Sequence, residues 1–127
     1  MFGFGRKQEV DLLMKNTAAE TIRSWSIYVK SYESLNSVGK KEVSIYMEKV
    51  FEDISTTHPN LFQMEAMKYI QLLENYNNIF GRLFKQDKYM GLAGHMFITF
   101  LYAKGFCAPS EVNEIGSKIQ QIKNMGK

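Results

Sequence analysis

His95 is the side chain of this sequence best suited to chemistry. It sits inside an uncharged run of fifteen residues between Lys88 and Lys104, with Thr99 and Tyr102 following at spacings of 4 and 3 on one helical face. A histidine in that setting suits a haem or metal ligand, or a phosphoryl acceptor. Each role asks for companions. Zinc takes about three or four His, Cys or acidic ligands. The second histidine, His58, stands before Pro59 in an expected loop. His95, Thr99 and Tyr102 are therefore candidate ligand-lining residues for a small apolar ligand or haem. The first expectation for His95 itself is a hydrogen-bonded core or interface histidine.

Two helical families with a single functional histidine do not match. A phosphotransfer domain places lysine and glycine one turn after its histidine, and Ile98 and Thr99 stand there instead. No globin pattern runs over the chain. Cys107 follows Phe106 in an expected loop, with no histidine base beside it on the same element, so it reads as a free structural thiol. Glu48, Glu52 and Asp53 share a helical face but lack facing histidines, and read as solvated. No catalytic, metal or cofactor-binding residue is assigned, no cofactor is expected, and the chain does not read as an enzyme.

The elements that would position these residues are helical throughout. In a helix over 88–104, the uncharged run is apolar nearly all round. Such a helix needs protein or lipid on every side. Fifteen residues fall short of the roughly 20 that span a bilayer, so the expectation is the central helix of a bundle. Around it, Met14, Ala18, Thr21, Trp25, Tyr28, Tyr32 and Leu35 make one stripe of a long first helix from about Lys7. Thr17 to Glu20 is a possible capping box that would break this helix near Asn16, although the unbroken stripe argues for one long helix. Asn36 to Gly39 reads as a turn, and a second helix follows from about Lys40 to Ser55.

A third helix, about 61–86 with Asn60 as its cap, carries Phe62, Tyr69, Leu73, Tyr76 and Phe80 on a wide apolar side. Asp87 is the expected cap of the fourth. Gly105 is expected to end it in the left-handed conformation, and Ser110 to cap a fifth helix carrying Val112, Ile115, Ile119 and Ile122. The fold class is all-α: one domain, 1–127, a bundle of about five mostly antiparallel helices, with residues 1–6 as a flexible lead-in. The lead-in's Phe2, Phe4 and Arg6 also suit a docking tag.

Composition bounds the partners. The chain is 45% hydrophobic, with 23% charged residues, a net charge of +3 and its basic residues scattered rather than massed. Scattered charge argues against nucleic acid. A single cysteine and an N-terminus without an apolar h-region point to a cytoplasmic protein without a membrane span. Aromatic and methionine-rich helix faces suit protein contacts. The function expected is a non-enzymatic protein–protein interaction or regulatory module, with a second copy of the chain as a partner in a homodimer. Trp25, Ile27, Tyr28 and Tyr32 on the first helix are the candidate interface.

Overall fold

The computed structural model describes residues 2–125, with side chains from residue 7 onward. Five α-helices and one short 3-10 turn account for nearly all of it: α1 Phe2–Glu33, α2 Ser37–Thr57, the turn Leu61–Gln63, α3 Ala66–Gln86, α4 Lys88–Phe106 and α5 Pro109–Asn124. No strand occurs among the described residues. The all-α bundle expected from the sequence is the fold observed.

Helix α4 lies at the centre and packs against each of the other four helices. Every residue from Gly91 to Thr99 is buried, which covers the full circumference of the helix. Two glycines let α3 come this close. A Cβ at Gly94 would sit 2.1 Å from the Phe80 ring, and one at Gly91 would sit 2.5 Å from the Phe84 backbone. Leu73, Phe80, Phe97 and Leu101 are all buried; Phe97 meets Phe51 of α2, and Phe80 faces Gly94 where α3 and α4 meet. Tyr69 donates its hydroxyl to the Leu101 carbonyl across the same seam.

Contacts fix the directions. Tyr28 lies against His95 while Cys107 reaches Ala18, so α1 runs opposite to α4. Phe84 meets Gly91 while Tyr69 meets Gly105, so α3 also runs opposite. Gly39 meets Tyr89 and Phe51 meets Phe97, so α2 runs with α4. Ser44 donates to the Lys123 carbonyl at 3.0 Å and ties α2 to the end of α5.

Several helix ends differ from the sequence expectation. Helix α1 is helical from Phe2 and runs unbroken through Asn16. Thr17 caps nothing; its hydroxyl donates to the Leu13 carbonyl, one turn back. Side chains of residues 1–6, and with them the docking-tag reading, lie outside the described residues. Asn36 is a true cap, accepting from the Gly39 N–H at 2.8 Å, so α2 begins three residues before Lys40. Asn60 precedes only the 3-10 turn and makes no side-chain cap bond.

Asp87 caps α4 as expected, accepting from the N–H groups of Tyr89 and Met90. Gly105 does not stop α4. No described residue has a positive φ, and the helix continues to Phe106. Gly105 is small for another reason, since a Cβ there would lie 2.8 Å from the Tyr69 ring. The cap of α5 is Ala108 rather than Ser110. Pro109 takes the first helical position and the Glu111 carboxylate accepts from the Ala108 N–H at 3.2 Å.

Candidate functional site

His95 is 9% exposed and held from three sides. Its Nδ1 lies 2.7 Å from Asn77 Oδ1 on α3. Because that oxygen only accepts, the ring proton sits on Nδ1 and Nε2 keeps its lone pair. Tyr28 of α1 stacks on the imidazole at 5.0 Å, nearly parallel, and Phe84 of α3 tilts against it at 6.3 Å. The nearest edge to Gly81 is the Nε2–Cε1 side of the ring. Burial holds the imidazole below its ordinary pKa, so the neutral ring is favoured. This is the hydrogen-bonded core histidine that the sequence suggested first.

Thr99 and Tyr102, the other two ligand-lining candidates, do face a common space. A cleft of about 400 Å³ opens between α1, α3 and α4, directly above the His95 cluster. Tyr28 and Asn77, which clasp His95, form part of its wall. His95 itself lies behind them and does not line it. Ile70 and Ile98 supply apolar wall, while Glu20 of α1 and Glu74 of α3 supply carboxylates. Burial raises the pKa of both Tyr28 and Tyr102, and Glu74 adds to the effect at Tyr102. Both phenols are neutral at physiological pH. Sequence reading missed the α1 and α3 walls of this cleft. Its polar residues look like ordinary solvated faces until three helices converge.

The four interface candidates on α1 do not share one face. Tyr32 is 2% exposed, deep in the core, where Met125 Sδ accepts its hydroxyl. Tyr28 faces α4. Trp25 is half-buried and turns toward α5. Only Ile27, at 57%, stands clear on the surface. The reason is geometric: at about 100° per residue, Ile27 points away from the stripe that the other three follow.

Trp25 instead belongs to a second depression, between α1 and α5. The Lys118–Glu33 ion pair joins the two helices near the end of α1. The groove between them, about 380 Å³, is lined by Ile22, Trp25, Val29 and Ile115 and by Lys30, Glu111 and Glu114.

The remaining candidates have structural partners. His58 Nε2 meets the Tyr76 hydroxyl at 3.1 Å, pinning the α2 end to α3. Cys107 is half-buried, with its Sγ 3.7 Å from the Ala18 carbonyl. Burial and the Glu111 carboxylate push its thiol pKa up, away from the reactive thiolate. Among the described residues, no three of His, Cys, Asp and Glu converge as a metal site, and no helix is long and apolar enough to cross a membrane. Compared with protein families, curated proteins and solved structures, the chain matches none.

Proposed function

We propose that this protein is a non-enzymatic interaction module, cytoplasmic, whose partner docks along α1 in the groove beside α5. The observation that carries this reading is the groove itself: an indole and two aliphatic side chains, Ile22 and Val29, left half-covered beside the buried Ile115, with Lys30, Glu111 and Glu114 also lining it. Interfaces concentrate their energy in such central aromatic anchors ringed by polar residues. Ile27, exposed on another side of the same helix, lies outside the groove. A second copy of the chain is the first partner to test, because two-fold self-association is the commonest solution for an apolar patch.

The test is site-specific photocrosslinking with sedimentation. A crosslinker at Ser26, within the groove, should give a discrete adduct that contains a second copy of the chain. One at Asn78, on the outer polar seam of α3, should not. Sedimentation should show a dimer at micromolar concentration. A monomer at high concentration, with equal labelling from both sites, would sink the reading.

A second reading, binding of a small ligand, is favoured by the cleft that Thr99 and Tyr102 line. Haem suits it poorly. Tyr28 covers His95, and the Glu20 and Glu74 carboxylates would oppose haem propionates. A Soret band on adding haem to the purified protein would restore it.

A further inference from the structure

We propose that the cleft between α1, α3 and α4 binds an organic cation, an alkylammonium or guanidinium group. The inference rests on the small-ligand reading and names the ligand class.

Five of the cleft's polar groups, three threonines and two glutamates, face it as acceptors, while Asn16, Ser24, Asn77 and the two tyrosine hydroxyls can also donate. Thr17, Thr21 and Thr99 each spend their hydroxyl proton inside a helix, on the carbonyls of Leu13, Thr17 and His95 at 2.6, 2.6 and 2.7 Å. What the three hydroxyls offer the cleft is lone pairs alone. Glu20 and Glu74 add carboxylates from opposite walls, and no Lys, Arg or His lines the space. A ligand matched to the threonines and the two carboxylates donates to them and brings positive charge. Ammonium and guanidinium groups are the common donors of that kind.

Charge points the same way. The chain carries +3 overall, so a pocket with two carboxylates and no cation runs against the average. Glu74 makes no ion pair among the described residues, and the residues one turn away on α3 are uncharged. Glu20 pairs with Arg23, but both are about two-thirds exposed, and such a pair yields readily to a bound ligand. Tyr28 and Tyr102 supply neutral aromatic wall, which attracts cations through the ring quadrupole. Ile70 and Ile98 beside them suit a short alkyl stem rather than a bare metal ion.

Calorimetric titration with agmatine, which carries both cationic groups, tests this. Agmatine should bind saturably, more weakly in high salt, and about tenfold or more weakly to Glu74→Gln. Should Glu74→Gln lose its helical signal, Glu20→Gln carries the same comparison. The peptide Gly-Arg-Gly separates the sources. Binding as tight as agmatine's means the cation arrives on a protein chain, and weaker binding means a free amine; either supports the proposal. Saturable binding of cyclohexanol without agmatine would keep the small-ligand reading and overturn the cation class. Binding of neither overturns both, and agmatine binding unchanged in the glutamine variants overturns this site.

Discussion

Helices α4 and α1 meet along most of α4, yet they are stabilised in opposite ways. Helix α4 is surrounded: four helices cover it and nine consecutive residues are buried. Helix α1 is a strap. It has 32 residues against 19 for α4, leans on α4 and only lightly on α3, and fully buries only Thr21 and Tyr32 among its described side chains. Consequently α4 has no room for change, whereas α1 is flanked by open space on both sides. The two depressions that suggest function both lie along the strap, and the core helix supplies their floor. The difference teaches that the tightly packed element sets the architecture and the loosely packed one leaves surface for binding.

That contrast is open to attack by mutation. The largest loss should come from Phe97→Ala in α4, about 3–5 kcal/mol by chemical denaturation, from lost transfer energy plus a cavity. A loss under about 1 kcal/mol would deny α4 its central place. Gly94→Ala should follow. Its new methyl would press on the Phe80 ring, and overpacking of this kind costs about 1–3 kcal/mol. If the variant melts like wild type, the α3–α4 approach is looser than described.

The junction of strap and core should respond to acid. His95 is held below its ordinary pKa of 6.5 by burial among Tyr28, Asn77, Gly81 and Phe84, with no carboxylate in contact. As pH falls, the unfolded chain takes the proton first. The contribution is therefore complete above about 6.5 and is lost as pH drops through the lowered folded value. Melting temperatures between pH 8 and 5 should fall more steeply in wild type than in His95→Gln. Parallel curves would remove His95 from the acid response. The smallest effect is expected at Ile27→Asp on the strap, where stability should stay within about 0.5 kcal/mol. Sedimentation of the same variant should leave the dimer intact, because Ile27 lies outside the groove; a weakened dimer would move the interface to that side of α1.

Much of the architecture was legible because hydrophobic spacing is a strong signal. The uncharged run around His95 demanded a surrounded helix, and Leu73, Phe80, Phe97 and Leu101 are buried as expected, although Phe97 meets Phe51 of α2. Local stop signals were less trustworthy. Gly105 looked like a helix terminus, but its smallness answers to Tyr69, 36 residues earlier in the chain. Ser110 looked like a cap, but Glu111 does that work from inside the helix. The cleft was only partly visible. Thr99 and Tyr102 share a helix with His95 and could be grouped by spacing. Glu20 and Glu74 are distant in sequence, on separate helices, and only the packing of α1 and α3 on α4 brings them to one space.

A single residue, Asp87, joins α3 to α4, ending one helix through its N–H bond to the Leu83 carbonyl while its carboxylate starts the next. That connection has a consequence for the order of events in folding. Loop closure across one residue costs little entropy, so the α3–α4 hairpin should assemble first. Helices α1 and α2 precede it on the ribosome, and the surface they bury against does not exist until α4 emerges. Until α4 is synthesised, the stripes of α1 and α2 that face it stay open to water. A nascent chain of this design should be at its most aggregation-prone just before its fourth helix arrives.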